Sequence, residues 1–233
     1  GVGILHLFVK GDDNRRIMIN SIGPVWDGNE VWLVTGGGAI FAAFPDVYAT
    51  VFSSFYPAVM LLLVGIIFRA VAIEFRSKSE STRWRKNWDI AFSISSILIA
   101  LLFGIALGNI IQGIPVGADK EAHIPFFGLI NYYSILVGIT TVALFMMHGA
   151  IYAVMKTEGD LQQTIRSWVN NTIIFFVICY ITVTMATLIF LPHMILVFRQ
   201  HPEFFIVALL NMLAVANIPR EIYKKHDFMA FLS

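Results

Sequence analysis

The sequence predicts an all-α fold: a polytopic transmembrane helix bundle with six complete spanning helices and truncated helices at both ends. Three observations predict it. Hydrophobic residues make up 58% of the chain and charged residues only 13%, against about 25% charged in soluble domains. Apolar runs recur at bilayer-crossing length, about 20 residues each, between short polar connections. The basic residues are spread very unevenly over those connections.

Each element follows from the hydropathy pattern. Residues 1–9 (GVGILHLFV) read as the end of a spanning helix, and KGDDNRR (10–16) reads as a polar loop. Residues 17–25 are less polar and contain the Gly23-Pro24 turn. The second span covers Asp27 to Phe44 and is short. Phe44-Pro45-Asp46 makes a tight turn, and the third span covers Val47 to Ala72. The basic loop EFRSKSESTRWRKNW (74–88) precedes a fourth span from Asp89 to Ile111. A Gly/Pro-containing connection (112–128) leads to the fifth span, Leu129 to Val154. The loop 155–166 leads to the sixth, Val169 to Leu191. Residues 192–203 read as a short connection, the seventh span covers Phe204 to Ala216, and NIPREIYKKH (217–226) precedes a last apolar segment from Asp227. The chain starts with Gly1 and stops at Ser233 inside that segment. It therefore reads as one transmembrane domain over 1–233, cut within the first helix at its start and within the eighth at its end.

Loop charges give an orientation. With connections alternating between sides, one side collects Lys10, Arg15, Arg16, Arg76, Lys78, Arg83, Arg85, Lys86, Lys156, Arg166, Arg220, Lys224 and Lys225. The other collects Lys120 and Arg199, and Arg69 falls within a span. Thirteen against two places the basic side in the cytoplasm.

Composition excludes several function classes. A net charge of +1 and the lack of a basic stripe interleaved with aromatics argue against nucleic acid. There is no G-x-x-x-x-G-K-[ST] phosphate loop and no H-E-x-x-H. The histidines His6, His123, His148, His193, His201 and His226 are scattered, so no metal site is visible. The single cysteine, Cys179, rules out an intrachain disulfide.

The most informative stretch is GPVWDGNEVWLVTGGGAIFAAFP (23–45). Helical spacing puts Asp27 and Glu30 on one face. Carboxylates at the mouth of a membrane helix are costly and usually face protein or water. The run Gly36-Gly37-Gly38 would let a neighbouring helix approach closely, so the stretch reads as a packed helix with a polar entrance. Two readings of the acids stand side by side: a proton or cation entrance, and capping of the helix N-terminus. Arg69 is the cationic partner for Asp27 or Glu30, or else it snorkels to the headgroups. Glu74 and the Arg76–Lys78 cluster read as ordinary interface charge. Trp26, Trp32, Trp84 and Trp88 sit near the same boundary, where amphipathic aromatics are favoured.

RRIMINSIGPVWDGNEVWLVTGGGAIFAAFPDVYA (15–49) resembles the hallmark stretch of the subunit II family of cytochrome bd quinol oxidases. FRAVAIEFRSK (68–78), RWRKNWD (83–89), GNIIQGIP (108–115) and HGAIYAVMKTEG (148–159) resemble that family in the same order. The resemblance implies a bacterial inner-membrane enzyme that oxidises quinol, reduces dioxygen to water and generates a proton-motive force. It places haem b and haem d in the partner, subunit I, with which this chain forms a heterodimer, and allows small accessory subunits and quinone as further partners. It assigns Trp26 and Asp27 to the cytoplasmic proton entrance, with Glu30 beside them, and places Trp32 near the oxygen route. It gives this chain no haem ligand. Two other classes compete: a secondary transporter, which would carry a charged site at mid-membrane, and a purely structural membrane subunit.

Overall fold

In the computed structural model, residues 1–117 and 125–233 are described. Lys120 and His123 lie outside them. The described residues form eleven α-helices: α1 Val2–Leu5, α2 Asp12–Ile22, α3 Trp26–Ala43, α4 Pro45–Ser54, α5 Tyr56–Phe75, α6 Thr82–Gln112, α7 Tyr132–Lys156, α8 Gly159–Phe190, α9 Pro192–Gln200, α10 Phe205–Tyr223 and α11 Asp227–Leu232. Five segments are long and apolar enough to cross a membrane: Tyr56–Lys78, Thr82–Gln112, Tyr132–Lys156, Gly159–Phe190 and Pro202–Tyr223. They correspond in order to the expected third to seventh spans.

The expected second span is a helix, α3, but it is not one of these five. Its 18 residues reach about 27 Å, short of a typical hydrocarbon core of about 30 Å. Two acids, an asparagine and four glycines also dilute its apolar character. Two connections and one span carry structure that hydropathy did not reveal. The loop expected at 10–16 and the residues after it hold α2, with Asp12 and Asp13 in its first turn. The expected 47–72 span is broken at Phe55 into α4 and α5. Pro57 explains the break, since it has no N–H to continue the α4 ladder and favours the first turn of a new helix. Residues 192–203 are not a bare connection, because α9 and a 3-10 turn at Pro202–Phe204 fill it. The seventh span extends past its expected end at Ala216 and carries Pro219 inside α10.

The chain forms two compact units, Val2–Val142 and Ala143–Ser233 joined by Gly1. α7 contributes its first part to one and its remainder to the other. In the first unit, α5 and α6 pack as a pair and α1 lies against α6. Met18, Phe92, Val9 and Leu129 are fully buried there. Close helix approach occurs at Gly104 and Gly108 of α6. A Cβ on Gly104 would stand 2.5 Å from the Gly138 Cα and 2.5 Å from the Thr141 hydroxyl, and one on Gly108 would stand 2.7 Å from the Ser134 Cα. These are small residues four apart on both helices, the arrangement that lets membrane helices touch backbone to backbone. In the second unit, α8 and α10 are joined by a hydrogen bond donated by the Tyr180 hydroxyl to the Asn211 side-chain oxygen, 2.7 Å. Arg166 holds Asp227 through two parallel bonds of 2.8 and 2.6 Å, clasping α11 to the start of α8.

Candidate functional site

α3 starts at Trp26 and carries Asp27 in its first turn. No side chain caps it, so the capping-box reading of Asp27 and Glu30 is not realised. Asp27 is exposed, and no ion pair or hydrogen bond engages it among the described residues. One turn further on, Glu30 accepts a 2.6 Å bond from Arg69 Nη1, with side chains 18% and 23% exposed. Of the two partners offered for Arg69, the structure pairs it with Glu30. Trp26 is half-buried and Trp32 is 73% exposed. The expected close packing of the Gly36-Gly37-Gly38 run is not found among the described residues: a Cβ on any of the three would meet nothing within 4 Å. None of the α3 residues is buried.

A second polar cluster, which the sequence reading missed, lies where α1, α2, α5 and α6 meet. His6, fully buried, donates from Nε2 to Asp89 Oδ1 at 2.7 Å. Arg76, 2% exposed, donates from Nε to the same oxygen at 2.5 Å and from Nη2 to Asp12 at 2.6 Å. Arg15 reaches Asp89 Oδ2 at 3.3 Å and the Val9 carbonyl at 2.9 Å. Arg85 donates to the other oxygen of Asp12 at 2.7 Å. Burying one carboxylate among several cations is tolerable because each charge is paired and hydrogen-bonded. Two buried polar atoms beside the cluster, His6 Nδ1 and Ser93 Oγ, have no partner among the described residues. Arg76 is thus not ordinary interface charge. The signal in the sequence was Asp89 itself, the single acid ending the basic run RWRKNW. Asp12 lies outside the long apolar helices. Slight burial pushes its carboxyl up, but hydrogen bonds and charge from Arg76 and Arg85 outweigh this and hold it below the usual carboxylate range.

Each of three further described histidines has its own neighbour. His148, the one in the middle of a long apolar helix, lies against Phe231 with ring centroids 4.2 Å apart. His201 and His226 bond Glu203 and Glu221, each at 3.0 Å. Among the described residues no group of three His, Cys, Asp or Glu could hold a metal ion.

The family model for cytochrome bd terminal oxidase subunit II matches residues 1–233. The chain is 43% identical over 185 residues to the cytochrome bd-I ubiquinol oxidase subunit 2 of Escherichia coli (strain K12), covering 77% of this chain and 49% of that protein. It is 41% identical over 167 residues to the cytochrome bd ubiquinol oxidase subunit 2 of Bacillus subtilis (strain 168), covering 71% and 49%. It is 40% identical over 168 residues to a probable cytochrome oxidase subunit 2 of Haemophilus influenzae, covering 70% and 44%. The chain spans about half the length of these curated relatives. A match over every residue, together with helices of membrane-crossing length, makes this a membrane protein of the cytochrome bd terminal oxidase subunit II family.

Proposed function

We propose that the protein is the non-haem subunit II of a quinol:dioxygen oxidoreductase in the bacterial plasma membrane, and that Asp27 is its cytoplasmic proton entrance. On this reading residues 1–233 are one transmembrane domain and α3 is a sixth spanning helix, its open faces covered by haem-bearing subunit I. The haem b and haem d groups of subunit I supply the electron transfer and oxygen reduction. The chain's own part is to scaffold that partner and admit protons.

One observation carries the assignment: Asp27 is an exposed carboxylate that no ion pair or hydrogen bond engages among the described residues, one helical turn from the Glu30–Arg69 pair. A carboxylate at the helix mouth with its oxygens open to water is placed to meet protons from the aqueous side. Glu30 is held by a fixed cation at 2.6 Å and provides the next acceptor inward, on the same face. Protons cannot cross hydrocarbon unaided, whereas apolar dioxygen dissolves in it, so a polar mouth is needed only for the proton. Trp32, exposed beyond that mouth, lies where oxygen would approach. The family relationship favours this reading over a secondary transporter.

The experiment is Asp27→Asn in the full-length subunit, purified with subunit I. The reduced-minus-oxidised haem spectrum remains, and oxygen consumption falls by about a hundredfold, the lower end of what a positioned proton-transfer group contributes. Asp27→Glu restores most of it. Normal turnover in an assembled Asp27→Asn complex removes the proton-entrance role, and a colourless complex removes the oxidase reading.

A further inference from the structure

A cavity of about 200 Å³ opens between α2 and the end of α5. Its polar lining is Arg16 and Asn20 from α2, with Glu74, Arg76 and Ser77 from the end of α5 and the turn after it. Ile19 and Ile73 form its apolar wall. Arg16 and Glu74 are exposed, and no ion pair or hydrogen bond engages either among the described residues. Two opposite charges therefore line one cavity without neutralising each other. Arg76 uses Nε and Nη2 on Asp89 and Asp12. Its Nη1, with two N–H donors, takes no part in these bonds.

The cavity lies at the end of α5, beside the turn into α6. α5 and α6 are both of membrane-crossing length, and the Arg76–Lys78 turn joins their ends. Below Glu74 on the same face of α5 lie Ile67, Leu63 and Met60, at 59%, 46% and 40% exposure. Spacings of three, four and seven make them one row. A polar cavity thus stands at the top of an open apolar track.

We propose that this cavity binds the headgroup of a phosphatidylethanolamine-type lipid, with one acyl chain lying along Met60, Leu63 and Ile67. Arg16 and Arg76 Nη1 take the phosphodiester, since guanidinium groups pair well with phosphate oxygens. Glu74 takes the primary ammonium. A choline headgroup has no N–H to give Glu74, and a glycerol headgroup has no positive charge for it, so both fit less well. Basic pockets at the ends of membrane helices are a recurrent type of lipid headgroup site, and here the added carboxylate selects a zwitterion. The site requires only that the chain lies in a bilayer and does not rest on the oxidase reading.

The test is native mass spectrometry of the full-length protein, purified with the subunits that accompany it, delipidated, and titrated with dioleoyl phosphatidylethanolamine, phosphatidylcholine or phosphatidylglycerol. The expected result is one tightly held phosphatidylethanolamine, bound about tenfold better than the other two. Arg16→Ala lowers that affinity about tenfold, the scale of one charge-assisted hydrogen bond. Glu74→Gln removes the preference over phosphatidylglycerol, and Lys78→Ala, outside the cavity, changes nothing. Both cavity variants replace exposed side chains, and an unchanged thermal unfolding curve verifies that the fold is retained. Equal binding of the three lipids, or phosphatidylethanolamine binding indifferent to both Arg16→Ala and Glu74→Gln, would overturn the proposal. Displacement of the lipid by equimolar soluble O-phosphoethanolamine would overturn the acyl-chain part and assign the site to a free phosphate ester.

Discussion

Placing alanine at Gly104 tests where the helices of the first unit are tightest. The new Cβ would stand 2.5 Å from the Gly138 Cα, whereas carbon atoms rest comfortably at about 3.5–4.0 Å. Its two nearest neighbours, the Gly138 Cα and the Thr141 hydroxyl, are backbone or short, so no flexible side chain can swing away. α6 and α7 must therefore separate by about 1 Å, and such a gap forfeits about a quarter to a half of each contact across the seam. Overpacking of this kind costs about 1–3 kcal/mol. Gly37→Ala is the matched control, because its Cβ would meet nothing within 4 Å and alanine favours a helix over glycine by about 0.5–1 kcal/mol. That gain is common to both variants, so they should differ by the overpacking cost alone, about 1–3 kcal/mol. Gly138→Ala should fall between them, since its nearest neighbour is the Leu101 side-chain terminus at 2.9 Å. The assay is unfolding of the purified protein in mixed micelles by rising SDS, followed by tryptophan fluorescence. If Gly104→Ala unfolds at the same SDS fraction as Gly37→Ala, the backbone contact is not a tight seam and the reasoning fails.

Three further outcomes can be checked. Asp89→Ala strands His6, Arg76 and Arg15 without their common carboxylate and should destabilise the first unit by about 3–5 kcal/mol, read by the same SDS unfolding. Arg69→Ala leaves Glu30 unpaired and should cost about 1.5–3 kcal/mol, the range for a hydrogen bond to a charged group; the joint Glu30→Gln, Arg69→Ala variant should recover part of that loss. For Asp12, the native carboxyl titrates lower than in the unfolded chain. Its stabilising contribution is therefore complete above the ordinary aspartate range of about 3.9 and is lost as pH falls through the lowered native value. The stability gap between wild type and Asp12→Asn should be constant near neutral pH and close in acid titration below about pH 4.

Much of the fold was legible because membrane helices announce themselves by length. The five long apolar segments follow the expected order with ends shifted by several residues, and the Glu30–Arg69 pair was among the partners the spacing offered. Other features were hidden for definite reasons. α2 reads as loop because an interfacial helix is polar on one side, while its Met18, Ile19 and Ile22 are buried. The Gly36-Gly37-Gly38 run drew attention as a packing surface, yet the close contact is at Gly104 and Gly108, whose spacing of four matters more than glycine density. The cluster around Asp89 joins residues up to 83 positions apart, a distance at which local pattern carries no information. Arg76 and Lys78 look alike in the sequence, but only Arg76 is buried.

The long reach between His6 and Asp89 has a consequence for biogenesis. His6, Arg15 and Arg76 all precede Asp89 in the chain, so during synthesis these hydrogen-bond donors leave the ribosome before the carboxylate that unites them. Until α6 arrives they must stay solvated at the membrane surface, which keeps the early segments loosely docked. Entry of α6 is then the step that locks the amino-terminal helices together, and a nascent chain halted before Asp89 would expose an unfinished cationic surface to quality-control proteases.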